Sequence, residues 1–169
     1  MDSVELIKQA VATKGKANLS FSGKSMHPTL KDAMVVTISR FLPESVRVSD
    51  IIAYQQNNQI VAHRVIKIIK NNAEILFITK GDNQPFGGIT EVRRGDFIGR
   101  IKSAFYANSG EKNILRENML YRLLYVWAGR LYLFYRRSIR NHIPDSLRLF
   151  LKAFVENIYY CFQGCSNRG

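Results

Sequence analysis

The sequence predicts a mainly β fold: an antiparallel sheet that curls on itself, with a short helix before it and a helical tail after it. Three observations carry this. Between Leu19 and about Ile101, short β-rich runs alternate with polar turns at the spacing of a small barrel or sandwich. Ahead of them, Val4, Ile7, Ala10 and Val11 recur at helical spacing. After Asn108-Ser109-Gly110, turn residues almost vanish and Leu, Tyr, Phe and Arg dominate. The 169 residues suffice for one core-bearing domain, 1–110, with an appendage, 111–169.

The elements follow in order. The helix over 3–13 is ended by Lys14-Gly15-Lys16. Strands are expected at Met34–Ser39, Asp50–Tyr54, Gln59–Ile69, Glu74–Thr79 and Asp96–Lys102, with turns at Pro43–Ser45, Gln55–Asn58, Asn71-Asn72 and Gly81–Gly88. Asn57-Asn58 and Asn71-Asn72 suit tight turns, because Asn tolerates positive φ. Two tail helices, 113–139 and 145–163, are separated by Asn141-His142-Ile143-Pro144.

Net charge is +12 and the pI near 10.0, a balance that attracts nucleic acid or an anionic membrane surface. Residues 1–110 hold 15 Lys+Arg and 9 Asp+Glu; residues 111–169 hold 10 and 4, so the same excess of +6 is denser in the tail. Residues 1–8 are too charged for a signal peptide, and no segment reaches the ~18 uninterrupted apolar residues of a spanning helix. Cys161 and Cys165 would lie one helical turn apart, a geometry poor for a disulfide, and no further cysteine completes a metal site. Reduced thiols are expected, with neither metal nor organic cofactor.

Candidate chemistry centres on Ser22-Gly23-Lys24-Ser25-Met26-His27-Pro28-Thr29-Leu30. Pro28 removes a donor and pushes His27 from the α region, while Gly23 permits close approach, so Ser25 is expected on a pre-set bend. An ordinary turn has the same composition. To act as a nucleophile at neutral pH, a serine needs a base. His63 lies inside the strand Ile60–Ile66, sharing a face with Val61 and Val65 while Arg64 points the opposite way; a core histidine bonded to a carbonyl would look the same. Lys80 is a second candidate base, Lys24 should point away from Ser25, and His27 and His142 read as bystanders. Thr79-Lys80-Gly81-Asp82-Asn83 ends a strand in a turn.

Together, Gly23–Leu30, Ser49-Asp50-Ile51-Ile52, His63-Arg64-Val65-Ile66, Lys80-Gly81-Asp82-Asn83 and Gly99-Arg100-Ile101 resemble the blocks of the type I signal peptidases, membrane proteases that remove leader peptides. The resemblance covers roughly residues 20–102 and implies the curled antiparallel β domain shared with LexA-type regulators. With His63 where most bacterial members carry lysine, the chain looks like the endoplasmic-reticulum, archaeal and spore-former branch. The resemblance implies that Ser25 Oγ attacks the scissile carbonyl while His63 takes its proton, and that His63 then activates the water that releases the acyl group. The Ser25 N–H would be the main oxyanion donor; Gly23, Met26 and Pro28 belong to the same oxyanion and substrate-binding loop. The substrate implied is an extended precursor or leader peptide with small residues at the cut, bound as an added strand.

The chain departs from that pattern in three ways. Where the Ser-His branch places an acid, this sequence has Gln84-Pro85-Phe86-Gly87-Gly88, leaving Asp82, or less readily Asp96, as third catalytic member. No N-terminal anchor is read, and the tail has no counterpart in short members. If residues 113–140 form one helix, Arg116, Arg122, Arg130, Arg136, Arg137 and Arg140 fall within an arc of roughly 160°. Leu120, Tyr121, Leu124, Tyr125, Trp127, Leu131, Tyr132 and Tyr135 fill the rest. That pattern suits either a membrane interface or a hairpin packed on the barrel. The expected location is peripheral, at the cytoplasmic face of an anionic membrane; nucleic acid is not an expected partner, because no binding motif accompanies the charge. Two alternatives stand beside the protease: a degenerate member that binds peptides without cutting them, and a self-cleaving regulator. The regulator reading is weaker, because only about 20 residues precede the first strand, too few for a DNA-binding domain.

Overall fold

A computed structural model describes residues 3–32, 34–71, 74–84, 88–106, 111–112, 123, 126–127, 129–131, 133 and 153. Helix α1 (Ser3–Lys14) ends at Gly15, whose φ of 77° turns the chain directly into strand β1 (Lys16–Ser20). Strands β2 (Val35–Ser39), β3 (Ile51–Gln56), β4 (Gln59–Asn71), β5 (Glu74–Lys80), β6 (Ile89–Arg93), β7 (Phe97–Phe105) and β8 (Glu111–Lys112) follow. Seven form one curled antiparallel sheet in the order β1-β2-β7-β3-β4-β5-β6, and β8 adds to β7. The mainly β class expected from the sequence is the class observed.

The β3–β4 hairpin is the segment that the sequence specifies most directly. Asn57 and Asn58 hold φ of 46° and 59°, the two-residue turn geometry that suits the twist of the flanking strands. That turn fixes the register Gln56↔Gln59, Tyr54↔Val61 and Ile52↔His63. Of the second Asn pair, Asn71 closes β4 and Asn72 lies outside the described residues. Strands β1 and β6 were not expected. They are the two ends of the sheet, and β6 buries only Val92 fully; such strands lack the dense apolar pattern that marks central ones.

Two apolar clusters form on the curled sheet. One joins Met26, Leu30, Ile38, Ile51, Ala53, Ala62 and Ile101, with Val11 of α1. The other joins Val46, Ile52, Tyr54, Val65, Phe77 and Val92. Alternation along β3 sends Ile51 and Ala53 into the first and Ile52 and Tyr54 into the second.

Most of the expected tail helices, with Cys161, Cys165 and His142, lies outside the described residues. Those described between 123 and 133 are helical. Val126 is buried, Arg130 Nε donates to the Ile66 carbonyl at 3.2 Å, and a Cβ on Gly129 would lie 2.9 Å from Ile66 Cγ2. This part of the tail therefore packs on β4. Among the described residues, no helix is long and apolar enough to cross a membrane.

Candidate active site

Ser25 sits in the excursion between β1 and β2, which Phe21 N closes by donating to the Met34 carbonyl at 2.7 Å. Within it, His27 N donates to Lys24 O at 3.1 Å and Leu30 N to Met26 O at 3.0 Å, coiling the chain tightly below the serine. Gly23 adopts φ 110°, a conformation closed to residues with side chains, and its N–H caps Asp32 Oδ1 at 3.1 Å. Met26 and Leu30 are fully buried, anchoring the turn from beneath by about 1.5–3 kcal/mol each. Ser25 itself is half-buried, as are His27 and Pro28, and Lys24 is exposed.

The β5–β6 turn grips this loop from the other side. Asn83 N donates to the Ser25 carbonyl at 2.7 Å. Gly81 passes so close that a Cβ there would lie 2.6 Å from that same oxygen, so no other residue fits. Asp82 completes the grip. Its Oδ1 accepts from Arg64 Nε at 2.8 Å; its Oδ2 accepts from Arg64 Nη2 at 2.6 Å and from Thr29 Oγ1 at 2.6 Å. Arg64 also donates to the Ser49 carbonyl at 3.0 Å. The arginine and the aspartate are each 2% exposed, a bidentate ion pair out of water. One lock thus ties the serine loop to the residue next to His63.

His63 is buried in β4, and the hydroxyl of Tyr54 lies 2.9 Å from its Nδ1. Burial pushes the imidazole pKa down to about 4; Asp82 pulls it upward and Lys80 adds to the depression. Burial also lowers the Lys80 ammonium to about 8 against the pull of Asp82 and raises the Tyr54 phenol. Lys80 Nζ donates to Gly81 O at 3.3 Å.

The expected residues are therefore gathered unevenly. Asp82 reaches the serine loop and Arg64, and no hydrogen bond joins it to His63 among the described residues; it acts on the imidazole through space. Asp96 lies exposed in a 3-10 turn, Arg94–Asp96. Among the described residues no hydrogen bond joins Ser25 to His63, and no three His, Cys, Asp or Glu side chains gather as a metal site.

Beside Ser25 opens a cleft of about 480 Å³. Its floor is Ala53, Ala62 and Ile101, and its walls include Val61 from β4 and Ser3 and Ile7 from α1. Lys8 of α1 bonds Gln55 of β3, pinning the helix as one side of the cleft. Small floor residues leave room for a chain in extended conformation.

The chain matches no family model and no curated protein. Sequence reasoning missed Tyr54, which it treated as a strand residue only. The Asn57-Asn58 turn held the signal, because the register it sets places Tyr54 two positions from His63's partner Ile52, diagonal to His63 on the same face of the hairpin.

Proposed function

We propose that this protein is a signal-peptidase-like serine endopeptidase that cleaves a precursor or leader peptide through Ser25 and His63. The observation that supports it best is the Arg64–Asp82–Thr29 lock, which holds a half-buried serine beside a cleft and against the strand that carries a buried histidine. Fixed geometry of this kind is what a nucleophile requires. With its pKa near 4, His63 is neutral at pH 7 and able to accept the Ser25 proton. The hydrogen bond between nucleophile and base is commonly long in unliganded enzymes and closes on substrate. Peptide lies along the cleft, Ser25 Oγ bonds to the scissile carbonyl carbon, and the Ser25 N–H meets the oxyanion. His63 passes its proton to the leaving amine, and water activated by the same imidazole releases the acyl group.

A fluorophosphonate probe tests this. Wild type should gain the adduct mass on Ser25, Ser25→Ala should gain none, and His63→Ala should label about 100-fold or more slowly. Equal labelling of wild type and Ser25→Ala would overturn it. The depressed imidazole, and the lack of a carboxylate bonded to its ring among the described residues, favour a second reading, a non-cleaving peptide-binding module. Saturable peptide binding by a wild type that never labels would establish that reading.

The proposal includes peripheral attachment at the cytoplasmic face of an anionic membrane. Leu123, Trp127 and Leu131 are spaced four residues apart on the helical segment and are 54%, 66% and 44% exposed, while Val126 turns inward. Large apolar side chains on such a basic tail suit an anionic interface. Trp127 is the single tryptophan, so its fluorescence reports directly. A blue shift and co-sedimentation with phosphatidylglycerol vesicles, both reversed by salt, are expected; an unchanged spectrum would count against attachment by this face.

A further inference from the structure

We infer that Tyr54 is the positioning residue of this site: its hydroxyl holds His63 by Nδ1 and leaves Nε2 as the nitrogen that exchanges a proton with Ser25. The inference rests on the Ser25–His63 reading and names the third group of the same machinery.

The geometry is specific. Tyr54 Oη lies 2.9 Å from Nδ1, the rings are tilted by 59° with centroids 5.9 Å apart, and both side chains are buried. The pair stands on neighbouring strands of a hairpin whose register the Asn57-Asn58 turn fixes, so its spacing does not depend on a loop. Asp82 is committed elsewhere, both its oxygens being taken by Arg64 and Thr29.

A phenol can fill the role because it both donates and accepts. Neutral imidazole carries one hydrogen; when that hydrogen is on Nδ1 and donated to Tyr54 Oη, the Nε2 lone pair is free. In acylation the Ser25 proton moves to Nε2 as the Oγ–C bond forms, and Nδ1–H stays on Tyr54. In collapse Nε2–H passes to the departing amine as the C–N bond breaks. The tyrosine neither gains nor loses a proton, and burial keeps it in the neutral form. Among the described residues, the other charged groups near His63 are Lys80 from β5 and Asp82 from the turn beyond it, with Arg64 next in sequence, on the opposite face of β4. Tyr54→Phe leaves all three in place and removes one oxygen.

The test pairs a long-range ¹H–¹⁵N imidazole spectrum at pH 7 with probe labelling. His63, assigned by loss of its signal in His63→Asn, should be neutral with its hydrogen on Nδ1 in wild type. In Tyr54→Phe it should move toward the Nε2–H form, and Ser25 should label roughly 10- to 100-fold more slowly, the range for partners that orient an imidazole. A wild-type ring already protonated on Nε2, or a variant unchanged in both spectrum and rate, overturns the inference while leaving Ser25 labelling intact. Loss of labelling in wild type overturns the enzymatic reading instead, while the wild-type His63 spectrum still decides whether Tyr54 orients the ring.

Discussion

Replacing Asp82 by alanine is expected to lower the thermal midpoint by roughly 6 to 20 °C, from a stability loss of about 3–5 kcal/mol in a chain of this size. The cause is what remains. Arg64 cannot deprotonate, is 2% exposed, and would keep its full charge after losing both carboxylate oxygens, with Nη2 still donating to Thr29 Oγ1 at 3.2 Å. Thr29 loses its acceptor at the same time. Because Asn83 N holds the Ser25 carbonyl through the same turn, the serine loop should loosen as the fold weakens. Arg64→Met combined with Asp82→Leu should recover part of the loss, since no buried charge is left alone, though the Ser49 carbonyl also loses a donor. Calorimetry of the single and double variants checks this; a double variant no more stable than Asp82→Ala would contradict it.

How far the sequence showed this depends on which force decides each element. Helix α1 and strands β2 to β5 follow from apolar periodicity, because their own side chains make the cores. The β3–β4 hairpin follows from Asn57-Asn58, a local requirement for positive φ met by two residues that tolerate it. Edge strands β1 and β6 were hidden, since what defines them is pairing to β2 and β5 rather than their own pattern. In the site, the sequence named the loop, the imidazole and the Asp82 turn. It could not show that Arg64, read only as pointing away from His63, is buried and claims Asp82. That pairing joins residues 18 apart and is a matter of tertiary geometry. Once the claim is seen, the partner of the imidazole has to come from elsewhere, and the hairpin supplies Tyr54.

Stability should fall as pH drops from about 6.5 to about 4, and His63 should account for about 3 kcal/mol of the fall. The sign follows from the direction of the shift. In the unfolded chain the imidazole takes up its proton near 6.5, but in the fold burial delays this to about 4. Between those values the unfolded state binds more protons, so acid favours unfolding; above 6.5 the contribution is fully present, and below 4 it is gone. Lys80 obeys the same rule in another window. Lowered from 10.5 to about 8, it makes stability rise with pH between those values. Urea midpoints measured from pH 4 to 7 should slope upward in wild type and lie flatter in His63→Asn. In the proposed Ser25–His63 mechanism catalysis would share the cause, because the base works only when neutral. The acid limb of kcat/KM for the proposed peptidase should therefore lie near 4 rather than near 6.5, with activity kept at pH 5, where an ordinary histidine is protonated. An acid limb near 6.5, with equal stability slopes in wild type and His63→Asn, would mean that the imidazole meets water in the folded protein and that burial does not set its proton affinity.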